Sequence, residues 1–212
     1  STIFVFAPIR GMATMAEGFI PLIGIVFDKF KMSIVGDTVA VVTQGFDLAG
    51  VLRTWVETHP LPGTGTTASA RVEIAGAAGE ALYATRFDGT RLYVVTFRRI
   101  DPLFVVDLAD PAHPQVSGEL QVPGYSTYLE PLGDRLLAVG VENQRVTASL
   151  FDVHDLAAPT LLSRVALGGN GQSWSEANYD EKAVEYLPEE GLLLLPFQSY
   201  GVDGAGNWGY ST

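Results

Sequence analysis

"VVDLADPAHPQ" occupies residues 105–115, and a worn copy of it, "LFDVHDLAAPT", occupies residues 150–160. Each copy ends an apolar run on an aspartate (Asp107, Asp152), passes a second aspartate three residues on (Asp110, Asp155) and closes on proline (Pro114, Pro159). Aspartate accepts hydrogen bonds from backbone N–H groups two residues ahead and proline presets φ, so the phrase carries the chemistry of a built turn. Sliding the chain on itself by about 45 residues also carries Gly89 onto Asp134 and Leu92 onto Leu137. The phrase therefore marks a repeated module. An earlier copy is visible where "IVGDTVAVVT" (residues 34–43) matches "FDGTRLYVVT" (residues 87–96), and a later one where "EYLPEEGLLLLP" (residues 185–196) echoes "TYLEPLGDRLLAV" (residues 127–139).

Within a module the hydrophobic runs are short and bounded by Asp-Gly, Gly-Asp or Glu-Gly, the residues of tight hairpin turns. The clearest module is expected to form strands from Ala81 to Phe87, Leu92 to Phe97, Leu103 to Asp107 and Val116 to Val122. Glycine at 23 positions and proline at 12 interrupt every candidate for a long helix. The fold class that follows is all-β: a β-propeller of four-stranded antiparallel blades, with about four blade-like units in one domain over residues 1–212. The units fall at residues 28–80, 81–124, 125–169 and 170–212, with residues 1–27 read as a strand of a preceding blade plus a linker. The chain stops at "GNWGYST", where a further strand of the last blade is expected, so it reads as a fragment of a larger propeller. On that reading the missing blades come from the parent chain or from another copy.

Composition narrows the function classes. A net charge of −11 opposes binding to a phosphate backbone, which depends on clustered Lys and Arg, and the densest basic cluster is the pair Arg98 and Arg99. Nucleic acid is set aside as a partner. The longest apolar run, residues 20–27, contains Pro21 and Gly24 and is far shorter than the roughly 20 residues of a spanning helix, so no transmembrane segment is expected. The first residues, "STIFVFAPIR", have no basic leader and do not read as a signal peptide. The absence of cysteine removes disulfides, thiolate metal sites and a cysteine nucleophile.

Residues 81–197, together with "FDKFKMSIVGDTVAVVT" (residues 27–43), resemble the bacterial and archaeal secreted proteins with a C-terminal β-propeller distantly related to WD-type repeats. Residues 44–75 depart from that pattern. The resemblance implies an exported location, as a secreted, periplasmic or cell-surface protein. It carries over no catalytic residue.

Candidate chemistry is sparse. Asp107 with Asp110, or Asp152 with Asp155, offer paired oxygens for calcium, but a calcium site takes about 6–8 oxygens and neither pair has further carboxylates nearby. Turn chemistry is the preferred reading, and no cofactor is expected. His59, His113 and His154 fall in different modules, and neither a Gly-x-Ser-x-Gly nor a His-Glu-x-x-His motif occurs. The glycines of residues 63–67 lack a lysine and a following helix, which fits a hairpin tip better than a phosphate cradle.

One segment breaks the repeat. About eleven extra residues fall within residues 168–183, "GGNGQSWSEANYDEKA", expected to join one blade to the next. It gathers Trp174, Glu176, Tyr179, Asp180, Glu181 and Lys182, and aromatic residues with carboxylates on a connecting loop suit recognition. A second polar aromatic loop follows at residues 197–210, with Trp208, Asp203 and Asn207 as further candidates. The favoured function is a non-catalytic binding or scaffold module for protein or polysaccharide through Trp174, Glu176, Tyr179, Asp180, Lys182 and Trp208. The alternative is an extracellular hydrolase or lyase in which Glu176, Asp180 and Lys182 supply acid, base and charge stabilisation.

Overall fold

The computed structural model describes residues 2–7, 15–61, 69–97, 101–168, 171–202 and 208–211. The glycine loop at residues 63–67, Arg98 and Arg99, Asp203, Asn207 and the side chain of Trp208 lie outside the described parts. The strands run in chain order β1 (Thr2–Ala7), β2 (Met15–Pro21), β3 (Met32–Val35), β4 (Thr38–Phe46), β5 (Leu52–Pro60) and β6 (Ala70–Glu73). β7 (Ala81–Asp88), β8 (Arg91–Phe97), β9 (Asp101–Asp107) and β10 (Gln115–Val122) follow, then β11 (Tyr125–Leu132), β12 (Arg135–Glu142), β13 (Arg145–Asp152) and β14 (Thr160–Ala166). The last are β15 (Gln172–Trp174), β16 (Glu185–Leu187), β17 (Leu192–Leu194), β18 (Gln198–Val202) and β19 (Trp208–Ser211). Helical structure among the described residues is confined to single 3-10 turns.

β3 to β6, β7 to β10 and β11 to β14 each form a four-stranded antiparallel sheet in sequence order, the blades of a propeller. The hairpins close as their sequences require: Gly89, Gly133 and Gly191 sit at positive φ in the tips "DG", "GD" and "EG", where a side chain is strained.

The sheets stack face to face. In β8 Leu92, Tyr93, Val94 and Val95 are all buried, because alternate residues face different neighbours. Leu92 and Val94 pack with Ala40, Val42 and Val56 of the first blade, while Tyr93 and Val95 pack with Leu129, Leu136 and Ala138 of the third. This explains why the run is continuously apolar instead of alternating. Val139 and Val146 of the third blade meet Ala177, Val184 and Leu193 of the fourth unit. At the other end, the β1–β2 hairpin covers Val39 and Val41 with Ile3 and Ile20.

The repeated phrase joins neighbouring blades. The carboxylates of Asp107, Asp110, Asp152 and Asp155 each accept the backbone N–H two residues ahead, at 2.8–3.0 Å. Leu108 and Val153, next to the first aspartate of each copy, are fully buried between blades. The turn then reaches the preceding sheet. Thr58 of the first blade donates to the carbonyl of Pro111 at 2.5 Å. Gly118 of the second blade lies so close to the next copy that a Cβ would stand 2.2 Å from the Leu156 carbonyl and 2.8 Å from Pro159.

The chain linking β2 to the first blade is anchored on a buried carboxylate. Glu57 is 2% exposed and accepts from the Thr43 hydroxyl at 2.6 Å and from the Ile23 N–H at 3.2 Å, with the His59 imidazole 3.3 Å away. Burial pushes the Glu57 carboxyl up, but the nearby His59 imidazole and the bonds from Thr43 and Ile23 outweigh it and hold the group below the usual glutamate range.

Two predictions follow from these contacts. Gly118→Ala is expected to destabilise the chain by about 1–3 kcal/mol in urea unfolding. Gly45→Ala serves as the control, since a Cβ there meets its nearest atom at an ordinary 3.5 Å; it should change stability by less than about 0.5 kcal/mol. Glu57 titrates lower in the folded chain than in the unfolded one, so its contribution is complete above the ordinary glutamate range and disappears as the pH falls through the depressed folded value. Glu57→Gln should therefore flatten the acid limb of stability against pH, read from urea midpoints between neutral and acid pH.

Candidate functional site

The first strands of the second and third blades run side by side, and 3-10 turns of the first and fourth units flank them along one edge. β11 runs beside β7, the 3-10 turn Lys29–Lys31 lies against β7, and the turn Glu176–Asn178 lies against β11. Polar contacts link them in series. The Thr85 hydroxyl donates to the Phe30 carbonyl at 2.8 Å, Arg86 pairs with Glu130 at 2.8 Å, and the Thr127 hydroxyl donates to Asn178 Oδ1 at 3.2 Å. Lys29 Nζ reaches Glu181 at 3.0 Å, which brings the entry to the first blade against the fourth unit. Together these segments enclose a cavity of about 640 Å³.

The same irregularity recurs on this edge. β7 pairs with β8 through a register shift between Leu82 and Ala84, and β11 pairs with β12 through one between Ser126 and Tyr128. The extra residues are Tyr83 and Thr127, and both line the cavity. A bulge of this kind re-aims a side chain without ending the strand. In the fourth unit the feature is enlarged. β15 pairs with β18 and β16 with β17 in the same antiparallel sense, so the first strand is made in two pieces separated by residues 175–184. The extra residues therefore leave from within the first strand, at the level of the bulges, and not from the connection between blades that the sequence suggested. Two 3-10 turns organise them. Ser175 caps the first by accepting from the Ala177 N–H at 3.1 Å, and its hydroxyl donates to the Pro196 carbonyl at 2.5 Å. Asp180 caps the second by accepting from the Lys182 N–H at 2.9 Å.

The excursion distributes the expected residues over two cavities. Tyr179 and Asp180, with Glu181, line the cavity between the first strands. Trp174 and Glu176 line a neighbouring one of about 420 Å³ with Pro196 and Phe197. Glu176 and Asp180 thus open onto different cavities, and Lys182 lines neither. The two aromatic residues connect the cavities: Trp174 and Tyr179 stack with centroids 6.1 Å apart and planes 27° apart. Tyr179 remains 77% exposed and Trp174 44% exposed. Trp208 begins β19, two strands from β15.

Sequence reasoning missed the other half of the site. Tyr83 and Tyr125 have centroids 5.0 Å apart, and Phe97 lies 5.1–5.6 Å from both. Burial, then the neighbouring hydroxyls of Tyr179 and Tyr83, push the Tyr125 phenol up. Tyr128 lies deeper. Its hydroxyl donates to Glu130 Oε2 at 2.9 Å, and burial together with that carboxylate pushes it up to about 12.

Each of the four aspartates of the repeated phrase uses one carboxylate oxygen to cap a turn. No group of three or more His, Asp or Glu suited to a metal ion occurs among the described residues. The histidines stand apart: His59 bonds Ser69 Oγ at 2.9 Å, His113 bonds Asp110 at 2.8 Å and His154 bonds Asp134 at 3.1 Å. No helix among the described residues is long and apolar enough to cross a membrane.

Stacked four-stranded sheets whose first strands gather around one cavity define a propeller-type repeat protein. The chain belongs to the Beta propeller domain family, whose pattern it matches over residues 1–212. It is similar to an uncharacterised protein of Archaeoglobus fulgidus, 41% identical over 118 residues, and to one of Methanocaldococcus jannaschii, 39% identical over 120 residues. The matched segments make up 55% and 56% of this chain and 19% of each relative, so the match spans about a fifth of the length of these archaeal proteins.

The Tyr128 environment gives a spectroscopic prediction. In an alkaline absorbance titration, Tyr128→Phe should remove a phenol that ionises near 12, whereas Tyr179→Phe should leave that step in place. Loss of the Glu130 bond is expected to lower stability by about 1 kcal/mol.

Proposed function

We propose that the chain is an exported or cell-surface β-propeller module that works by binding, and that it takes a protein or glycan at the mouth of the cavity between its first strands. The observation that carries this reading is the convergence of Tyr83, Tyr125 and Tyr179, from three successive units, on one cavity rim. Aromatic side chains held by packed strands offer large contact areas at small entropic cost, which suits recognition. A scaffold of stacked sheets leaves such a rim free to vary, because its own stability rests on the buried faces between blades. Export is supported by the resemblance to secreted proteins with a C-terminal propeller. The acidic chain, at net −11, is repelled by polyphosphate partners.

The test is a screen of the purified chain against arrays of extracellular glycans and proteins, with the double variant Trp174→Ala and Tyr179→Ala alongside. Exposed aromatics at a binding rim should cost at least about tenfold in affinity when removed, with the melting temperature within about 2 °C of the parent. Equal binding by the double variant, or a loss of stability that matches the loss of binding, overturns the assignment of this rim.

A further inference from the structure

Resting on that reading of the rim, we infer that its ligand is a neutral oligosaccharide chain, with one sugar ring against Tyr179 inside the larger cavity and another against Trp174 in the smaller. The charges lining the larger cavity are paired within the protein, apart from that of Asp180. Asp28 pairs with Lys31 at 2.8 Å, Arg86 with Glu130 at 2.8 Å and Glu181 with Lys29 at 3.0 Å. The remaining lining carboxylate, Asp180, holds a backbone N–H at 2.9 Å. A charged polymer would have to compete with these pairs and gain little Coulomb energy from the site. A neutral, hydroxyl-rich ligand meets no such barrier, since its hydroxyls can donate to carboxylate oxygens that keep unused lone pairs and accept from tyrosine hydroxyls.

The apolar component matches as well. The C–H faces of a pyranose ring need flat aromatic surfaces open to solvent, and Tyr179, at 77% exposure, Trp174, at 44%, and Tyr83, at 41%, supply them along one rim. Trp174 and Tyr179 are stacked with centroids 6.1 Å apart and open onto adjacent cavities of about 420 and about 640 Å³. The path therefore continues from one cavity to the next, which suits a chain of sugars better than a single one. Glu176 lines the smaller cavity beside Trp174 and provides a hydroxyl acceptor at that end.

The experiment is titration of the purified chain with short neutral oligosaccharides, namely β-1,4-linked glucose, β-1,4-linked N-acetylglucosamine and α-linked mannose. It is followed by tryptophan fluorescence and calorimetry at about 50 and about 500 mM NaCl, where screening differs strongly. Polygalacturonate and choline are the anionic and cationic comparison probes. At least one neutral chain is expected to bind, with an affinity that changes less than about twofold between the two salt concentrations. Tyr179→Ala and Trp174→Ala should each weaken it by about five- to tenfold, and Tyr179→Phe should retain it because the aromatic face persists. Longer chains should bind more tightly than disaccharides, and Trp174→Ala should erase that gain. Binding of polygalacturonate or choline, sensitive to salt and to Tyr179→Ala while every neutral chain fails, would overturn the neutral-glycan inference and leave the binding rim in place. If neither these probes nor any array component responds to the Tyr179 and Trp174 substitutions, both the inference and the rim assignment fall.

Discussion

The first and second blades of this propeller each depend on a turn supplied by the sheet that follows. The turn after the third strand of the second blade receives a hydrogen bond from Thr58 of the first, and its counterpart in the third blade presses against Gly118 of the second. Four aspartate caps fix the shape of these turns from within, so the contact is made by a preformed surface. Leu108 and Val153, fully buried beside those caps, tie each turn to the apolar layer between blades. The repeated phrase is written twice because the joint is made twice. A lone four-stranded sheet with two apolar faces has no stable partner in water, and this contact brings the next sheet into register.

Stacking in this way sets the geometry of the other edge. With third and fourth strands fixed through their turns, the first strands of the second and third blades come together, and their bulged residues line the cavity at this edge. The site is assembled from single residues of separate modules: a bulged tyrosine in the second blade, a bulged threonine in the third, and in the fourth an excursion that splits the strand at the same level. A bulge is a tolerant place for insertion because the ladder is already interrupted there. The fourth unit keeps its pairing on both sides of residues 175–184 and loses none of the strand's direction.

The strands, the count of four strands to a blade and the turn role of the phrase were legible because they are written locally. Short apolar runs between Asp-Gly and Gly-Asp tips, and an aspartate followed by proline, each carry their own mechanism within a few residues. The excursion was visible as a break in the repeat, but its place was misjudged. Gln172 to Trp174 is too short to read as a strand, and only pairing with Gln198 to Tyr200 reveals it as the first half of one. Tyr83 and Tyr125 gave no signal, since each looks like an ordinary β-strand tyrosine until the blades are set side by side. Glu57 was equally silent. Its burial follows from the chain crossing above it at Ile23, a contact 34 residues away in sequence.

The two ends of each sheet therefore answer to different physical demands. At the phrase, close backbone approach leaves no room for a methyl group at Gly118, so change there is costly whatever the ligand. At the first-strand edge, Tyr179 and Trp174 are exposed and held by a capped excursion whose own contacts, from Ser175 to Pro196 and from Asp180 to Lys182, do not involve their rings. The rings can be exchanged without disturbing the joint between blades. A fold built this way can keep its stacking chemistry constant while a few side chains on one strand edge change, because the excursion departs from a strand whose pairing holds on both sides of it.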